Sequence, residues 1–312
     1  MRRLFLAVLT LTFAFQVQAE LPTKTSAAGD SITMGFGANC TRNTSFWDLF
    51  CLLGGDQPEH SWFDGWSSNV NSVHDKYKVL DGTIAANKSA AESGSEMGGG
   101  SNNFAVQAAN IAAQNPVPDH VEVLLGGNDI CNRDCTNPAN CTNPLFTDAQ
   151  WRASVQAGLN TLMTSMPVGG TVFLGSVPRI QDLRPAGLAK EATSSRINCQ
   201  NIWSDHDICN IATSGALMSG EAVDDRRAVI AATQKRYNAI LAEEATAYNS
   251  NSNGKNPNGL EVVADYQGEA VVSAGTLAFG ADDIDGGDCF HPSILGQNKV
   301  ANTLWDNNPD KL

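Results

Sequence analysis

The chain is 312 residues long, and 42% of its residues are hydrophobic and 17% are charged. That length is enough for one large domain with a single core. Its formal net charge of −13 at pH 7 gives a surface that repels nucleic acid and anionic membranes, so we expect neither as a partner.

The N-terminus has the layout of a secretory signal peptide. Two arginines follow the first methionine, an apolar run covers Leu4–Phe15, and the small residue Ala19 stands at a cleavage position. The run has about a dozen residues, whereas a helix that crosses a bilayer needs about 20, so we expect no stable membrane insertion. We predict a signal peptide over residues 1–19, a secreted or periplasmic protein, and a single domain over residues 20–312.

Short apolar runs bounded by Gly, Asn or Asp alternate with helical stretches along the chain. The predicted strands are Thr25–Ala28, Lys78–Asp81, Val121–Leu125, Thr171–Leu174 and Leu260–Ala264. The predicted helices are Phe46–Leu53, Asn102–Gln114, Asp148–Met166, Asp224–Tyr248 and Ser293–Trp305. Two long regions, Asn128–Thr147 and Val177–Val223, are interpreted as irregular. This alternation predicts a three-layer α/β/α sandwich around a central, mostly parallel five-stranded sheet.

All eight cysteines lie in the predicted mature chain: Cys40, Cys51, Cys131, Cys135, Cys141, Cys199, Cys209 and Cys289. An even number in an exported chain indicates disulfides. Short spacing predicts one bridge from Cys40 to Cys51. It predicts another from Cys199 to Cys209. The remaining four would share two bridges, in a pairing that the spacing leaves open, and they lack the spacing of a zinc site.

Three short motifs adjoin the predicted elements. Gly29-Asp30-Ser31 follows the first strand, Gly126-Gly127-Asn128-Asp129 follows the third, and Asp288-Cys289-Phe290-His291-Pro292 precedes the last helix. Each alone fits a structural role, such as a helix cap at Ser31 or a surface turn at Asp288 and His291. In this order, they resemble the motifs of the SGNH (GDSL-type) esterase and lipase family. The resemblance covers Gly29 to Pro292 and implies an SGNH hydrolase-like fold.

The chemistry of three of these residues fits a catalytic triad. A serine hydroxyl attacks an ester when a neighbouring base takes its proton. Imidazole titrates near neutral pH, so His291 is the candidate base for Ser31. Asp288 would accept a hydrogen bond from the other ring nitrogen and stabilise the imidazolium. The other four histidines lack such a context, and we expect surface or structural roles for them.

Acyl transfer also needs hydrogen-bond donors for the oxyanion of the tetrahedral intermediate. The resemblance implies three such donors: the N–H of Ser31, the N–H of a glycine, and an asparagine side chain that maps onto Asn128. We predict Gly94 as the glycine because it follows the second predicted strand. The glycines at 98–100 are the alternatives.

We therefore predict a monomeric secreted serine ester hydrolase that forms an acyl-enzyme on Ser31 and needs no cofactor or metal. Its substrate would be a small-molecule or lipid ester. The aromatic stretch Phe46–Trp66, with Ser61-Trp62 after Gly54-Gly55-Asp56, is loosely similar to the phospholipase B branch and favours a lipase or phospholipase. A carbohydrate O-deacetylase of the same family is the first alternative. A catalytically silent secreted binding protein is the second. The acidic run Asp282–Asp288 is interpreted as a solvated turn rather than a calcium loop.

Overall fold

A computed structural model describes residues 21–40, 55–133, 145–217, 219–251, 254–265 and 277–308. Its strands are β1 (Lys24–Gly29), β2 (Ala85–Ala86), β3 (His120–Leu124), β4 (Thr171–Leu174) and β5 (Glu261–Ala264). They form one parallel sheet in the order β2-β1-β3-β4-β5. The chain therefore turns from one side of β1 to the other between β2 and β3. In open parallel sheets, ligands bind beside such a switch point, at the carboxyl ends of the strands.

Nine α-helices lie within the described ranges. They are α1 (Val73–Leu80), α2 (Phe104–Ala112), α3 (Gly127–Cys131), α4 (Asp148–Ser165), α5 (Leu183–Thr193), α6 (Cys199–His206), α7 (Asn210–Thr213), α8 (Val223–Ser250) and α9 (Ile294–Asn307). Helix α4 packs against both α2 and α8, and α1 packs against α9. Two 3-10 turns, Pro58–His60 and Ile180–Asp182, complete the helical elements of this part of the chain.

The sheet is covered on both faces. On one side, Trp151 of α4 stacks on Tyr237 of α8 with ring centroids 4.0 Å apart. On the other side, the hydroxyl of Tyr77 in α1 lies 3.3 Å from Nε2 of His120 in β3. Every residue of β3 is buried, including the carboxyl of Glu122. A parallel strand that is buried on both faces is what two covering layers of helices require.

The predicted fold class is confirmed: the protein is a three-layer α/β/α sandwich with a parallel five-stranded sheet. Strands β1, β3, β4 and β5 and helices α2, α4, α8 and α9 lie where the periodicity and the short apolar runs predict them, with ends that differ by one or two residues. The predicted signal peptide and the predicted helix Phe46–Leu53 lie outside the described residues.

The predicted strand Lys78–Asp81 is wrong, because these residues end helix α1. Ser72 caps that helix and forms a capping box with Asp75, whose backbone N–H it binds. Such reciprocal capping favours a helix over the residues that follow. The side chain of Val79 is 84% exposed, which no buried strand would allow. The second strand of the sheet is instead the two-residue β2.

The region predicted as irregular between Val177 and Val223 contains three short helices, α5 to α7. They lack a long apolar period, and much of their order comes from contacts with one another and with a disulfide. Gly187 of α5, for example, allows the indole of Trp203 in α6 to approach, since a Cβ there would lie 2.2 Å from the ring.

The predicted bridge from Cys199 to Cys209 is wrong. The structure joins Cys131 to Cys209 and Cys199 to Cys289 instead. Helix α6 separates Cys199 from Cys209, and its eight residues rise about 12 Å, whereas the Cα atoms of a disulfide lie within about 7 Å. Cys40 is disulfide-bonded too, and its predicted pairing with Cys51 lies outside the described residues.

In the parts of the chain that the structure describes, no helix combines the length and the apolar character that crossing a bilayer requires.

Candidate active site

The predicted site residues lie at the carboxyl edge of the sheet, around the switch point. Ser31 comes two residues after β1, Gly94 lies on the connection that follows β2, and Asn128 is in the short helix α3 after β3. Because β2, β1 and β3 are adjacent in the sheet, these three segments come together although they are distant in sequence.

A tight turn after β1 presents Ser31. The N–H of Met34 donates to the carbonyl of Asp30 at 3.0 Å, and the Asp30 carboxyl accepts from the N–H of Ile32 at 2.9 Å. Gln107 of α2 anchors the start of the turn, since its side chain binds both the N–H and the carbonyl of Gly29. Burial raises the pKa of Asp30 to about 6. Because these hydrogen bonds hold the turn on both sides of Ser31, its backbone is fixed in position.

Ser31, His291 and Asp288 form one chain of hydrogen bonds. Ser31 Oγ lies 2.8 Å from His291 Nε2, and His291 Nδ1 lies 2.5 Å from Asp288 Oδ2. With the proton on Nδ1, Nε2 is free to accept the hydroxyl proton of Ser31. Phe36 packs on the imidazole with ring centroids 4.4 Å apart, which restricts the orientation of the ring.

The carboxyl of Asp288 is held by its own turn. Its Oδ1 accepts the N–H groups of Phe290 and His291 at 2.8 and 3.0 Å. Burial alone would raise the pKa of Asp288, but the charge of His291 and these hydrogen bonds outweigh it and lower the pKa below its ordinary value. Asp288 is therefore ionised, as a partner that stabilises an imidazolium must be.

The predicted oxyanion donors face the same space as Ser31. Within the described residues, the N–H groups of Ser31 and Gly94 have no hydrogen-bond acceptor. Gly94 has a φ of +84°, a left-handed conformation that a larger residue rarely adopts. Asn128 Nδ2 donates one proton to the carbonyl of Ser95 at 2.9 Å and keeps a second proton. These three groups therefore border one cavity, each with an N–H that is free to donate.

The structure separates Gly94 from the alternative glycines. Gly94 lines the cavity at Ser31, whereas the glycines at 98–100 do not. The N–H of Gly98 donates to Asp129 at 3.0 Å, and the α-carbon of Gly99 faces the side chain of Glu96.

Asp129 was not predicted as a site residue, yet it joins the two segments that carry the predicted oxyanion donors Gly94 and Asn128. Its carboxyl accepts the N–H groups of Met97 and Gly98 at 2.7 and 3.0 Å. Burial raises the pKa of Asp129 to about 7. The only sequence signal was its position directly after Asn128, because its partners are backbone groups that any residue could supply.

An ion pair strengthens this junction. Arg133, just after α3, binds Glu96 at 2.5 Å, and its Nε donates to the carbonyl of Asp129 at 2.8 Å. Asn132 donates to the other oxygen of Glu96 at 2.9 Å. The guanidinium of Arg133 also lies over the ring of Phe146, 4.2 Å from its centroid.

A cavity of about 400 Å³ opens at Ser31. Its apolar walls come from Phe36, Phe290, Ile208 and the disulfide between Cys131 and Cys209. Its polar lining, apart from Ser31, Asp288 and His291, consists of Ser93, Gly94, Asn128, Asn132, His206 and Asp207. His206, one of the histidines expected to have a surface or structural role, is exposed and borders the cavity. Trp62 and Phe63 are fully buried in the core and do not line it.

The end of helix α6 and the residues just after it border this cavity, and disulfides tie this stretch to both halves of the site. At the start of the helix, Cys199 is bonded to Cys289, which lies between Asp288 and His291. Just past its end, Cys209 is bonded to Cys131, the last residue of the helix that carries Asn128. Within the described residues, no group of three or more His, Cys, Asp or Glu side chains could hold a metal ion.

No protein-family model matches the chain, and no curated protein matches it. Solved structures with a similar path include a family two carbohydrate esterase from Clostridium thermocellum, with a TM-score of 0.44 and 14% identity. That match covers 90% of this chain, which spans 61% of the other. Another is Axe2, an acetylxylan esterase from Geobacillus stearothermophilus, with a TM-score of 0.41 and 14% identity over 91% of this chain and 93% of that one. These values describe a distant likeness of fold.

Proposed function

We propose that the protein hydrolyses carboxylic esters through an acyl-enzyme on Ser31. The observation that carries this proposal is the hydrogen-bonded chain from Ser31 through His291 to Asp288, with distances of 2.8 and 2.5 Å. It lies at the mouth of a cavity that Gly94 and Asn128 also line. A nucleophile, an oriented base and nearby donors for an oxyanion are the parts that acyl transfer needs.

In the first half of the reaction, Ser31 Oγ attacks the ester carbonyl carbon while His291 Nε2 takes its proton. The carbonyl oxygen becomes an oxyanion, which the N–H groups of Ser31 and Gly94 and the Asn128 amide would stabilise. Asp288 stabilises the imidazolium that forms. The C–O bond to the alcohol then breaks, His291 returns the proton to the leaving oxygen, and the acyl group stays on Ser31.

In the second half, water replaces the alcohol. His291 takes a proton from the water as its oxygen attacks the acyl carbon, and the same donors stabilise the second oxyanion. The bond to Ser31 Oγ breaks, and His291 returns the proton to the serine. The carboxylic acid leaves and the enzyme is restored.

The charges around the cavity favour a neutral, hydroxylated alcohol. Among the described residues that line it, none is a lysine or an arginine, and Asp207 adds a negative charge. Asp56 accepts a hydrogen bond from Ser93 at the same rim. A phospholipid carries a phosphate, which proteins bind with Arg or Lys and which these carboxyl groups would repel. Of the two substrate classes predicted from the sequence, we therefore propose the alternative, O-deacetylation of a carbohydrate.

Ser61 and Trp62, on which the similarity to the phospholipase B branch partly rests, have a structural role. Ser61 Oγ donates to the carbonyl of Thr33 at 2.8 Å, and Trp62 Nε1 donates to the hydroxyl of Thr33 at 3.2 Å. Both are buried behind the Ser31 turn, where they support it rather than meet a substrate.

We further propose that the protein acts outside the cytoplasm. Disulfides persist mainly in oxidising compartments. The bridges from Cys131 to Cys209 and from Cys199 to Cys289, together with the bonded Cys40, support an exported protein.

The test is hydrolysis of p-nitrophenyl esters from acetate to palmitate, alongside an acetylated xylo-oligosaccharide and phosphatidylcholine. We expect Ser31→Ala to lose roughly 10⁴- to 10⁶-fold in kcat, because the nucleophile is gone. Ser204→Ala, an exposed serine of α6, is the matched control and should retain wild-type activity. Folding of each variant is checked by circular dichroism.

Each result decides one part of the proposal. Acetate preference and release of acetate from the oligosaccharide would support the deacetylase, whereas a long-chain optimum and cleavage of phosphatidylcholine would replace it with the lipase. Wild-type activity in folded Ser31→Ala would exclude the nucleophile. If a serine-directed phosphonate left the protein unlabelled and no ester were cleaved, the catalytically silent binding protein would be the better description.

A further inference from the structure

A second carboxyl group, Asp285, is buried three residues before Asp288, and the steps above do not use it. Its Oδ1 accepts the N–H groups of Gly287 at 2.5 Å and Asp288 at 3.0 Å. Its own N–H donates to the carbonyl of His291 at 2.8 Å. Asp285 therefore binds the backbone on both sides of the segment that carries the proposed acid–base pair.

Each of the two aspartates stabilises a turn, and the two turns are consecutive. Asp285 Oδ1 accepts hydrogen bonds from the N–H groups of residues 287 and 288, and Asp288 Oδ1 accepts them from residues 290 and 291. An antiparallel bridge between Ile284 and Pro292 closes the segment at its base. With Asp288 Oδ1 occupied in this way, its Oδ2 is the oxygen that meets the imidazole. The direction of the Asp288 carboxyl thus depends on the turn that Asp285 holds.

The two carboxyl groups are close enough to influence each other. A Cβ on Gly37 would lie 3.8 Å from both the Asp285 carboxyl carbon and Asp288 Oδ2, so one small residue borders both. Burial and the charge of Asp288 raise the pKa of Asp285 well above its ordinary value, and the charge of Lys190 acts in the opposite direction. Asp288 faces His291 and its pKa is lowered, so Asp285 is the member of the pair that takes up a proton more readily.

We propose that Asp285 is a positioning residue, which fixes the turn that presents Asp288 to His291. This role rests on the proposed ester hydrolysis and adds to it a residue that does not touch the substrate. It requires an acceptor oxygen at the Oδ1 position rather than a negative charge. Asparagine supplies such an oxygen at the same place, and alanine does not.

The experiment compares Asp285→Ala with Asp285→Asn on p-nitrophenyl acetate across pH. We expect the alanine variant to lose roughly 10- to 100-fold in kcat, because a catalytic group displaced by a fraction of an ångström works poorly. Its KM should stay near the wild-type value. The acidic limb of its kcat/KM profile should move to lower pH, since a misplaced Asp288 stabilises the imidazolium less. The asparagine variant should keep kcat within about threefold and keep the limb in place.

Two further variants control for charge and for folding. Asp282→Asn removes a carboxyl from an exposed position of the same segment and should behave as wild type. If Asp285→Ala does not fold, Asp285→Ser takes its place, because a serine hydroxyl is too short to bind both N–H groups. Phosphonate titration counts the active sites, so a variant that is merely less stable would show fewer sites and an unmoved acidic limb.

The outcomes separate the two proposals. The role of Asp285 would be overturned if the alanine or serine variant kept the wild-type kcat per titrated site and an unmoved acidic limb of the kcat/KM profile. Ester hydrolysis would still be upheld in that case by the loss of kcat in Ser31→Ala. Equal losses in Asp285→Asn and Asp285→Ala would also overturn it, because the acceptor oxygen would not be what matters. Full activity in Ser31→Ala would remove the proposed function and, with it, this role.

Discussion

The two sides of the candidate site are built in different ways. On the acid–base side, Asp285, Asp288 and His291 lie within one short segment, and almost all the hydrogen bonds that orient them are made inside it. On the oxyanion side, Gly94 and Asn128 come from segments that follow different strands. Those segments are joined by the carboxyl of Asp129 and by the ion pair between Glu96 and Arg133.

The two sides of the site therefore depend on different kinds of contact. The acid–base side needs mainly its own turns, so a change there should act on the chemistry and leave the rest of the protein intact. The oxyanion side exists only when two distant segments are held together. A change in a residue that joins them should therefore affect stability and activity at the same time.

The largest effect is expected on the acid–base side, from Asp288→Asn. Asparagine cannot stabilise the imidazolium and favours the wrong tautomer of His291, so kcat should fall about 10⁴-fold. The free energy of unfolding should change little, because Asn can still accept the N–H groups of the turn. Steady-state kinetics and urea denaturation test both points, with the exposed Asp205→Asn as the control. A kcat within tenfold of wild type would show that Asp288 is not the partner of the base.

A smaller effect is expected from Asn128→Ala on the oxyanion side. Loss of one oxyanion donor typically lowers kcat by about 10²- to 10³-fold. KM should remain near its wild-type value, because the interaction forms mainly in the transition state. Asn201→Ala, on the exposed surface of α6, is the matched control. A raised KM with an unchanged kcat would instead assign Asn128 to ground-state binding.

The smallest effect on rate is expected from Asp129→Asn, which weakens the junction between the two oxyanion segments. One of its two N–H partners would lose its acceptor, and a loss of about 1.4 kcal/mol in the transition state corresponds to roughly tenfold in kcat. Unlike Asp288→Asn on the acid–base side, Asp129→Asn should also lower the free energy of unfolding, so the two variants distinguish the two sides of the site.

The same variant has a characteristic pH dependence. Burial raises the pKa of Asp129 from 3.8 to about 7 in the folded protein, so folding takes up a proton between these values. The contribution of Asp129 to stability is therefore fully present below about pH 4 and is lost as the pH rises through about 7. Asparagine does not titrate, so the stability of wild type relative to Asp129→Asn should decline over this window. Urea denaturation at several pH values measures the difference, and a constant difference would contradict the raised pKa.

Much of the fold could be predicted because the long elements carry a clear pattern. The predicted runs Thr25–Ala28, Val121–Leu125 and Thr171–Leu174 are buried throughout, and the buried residues of α8 recur from Ile230 to Tyr248. Strand β2 could not be predicted, since two alanines carry no pattern and their place is set by pairing with β1. Residues 78–81 form a short run that resembles a strand, whereas the signal for helix α1 lies further upstream, in the capping box of Ser72 and Asp75.

The candidate site was predictable where residue type itself carries the chemistry. Ser31, Asp288 and His291 have side chains that signal a reaction, and their motifs adjoin predicted elements. Asp129 was missed, and Asp285 was wrongly interpreted as part of a solvated turn although it is buried. The partners of both carboxyl groups are backbone N–H groups, which look the same at every position of a sequence. The disulfide pairing was missed for a similar reason: spacing along the chain does not reveal the helix that keeps Cys199 apart from Cys209.

The two disulfides of helix α6 have a consequence for how the protein can change. The stretch from Cys199 to Cys209 is anchored covalently at each end, at Cys289 and at Cys131. The residues between the anchors that face the cavity, His206 to Ile208, take part in neither anchor. Residues 206–208 can therefore be substituted, in evolution or by engineering, while the two disulfides keep the proposed catalytic groups in place.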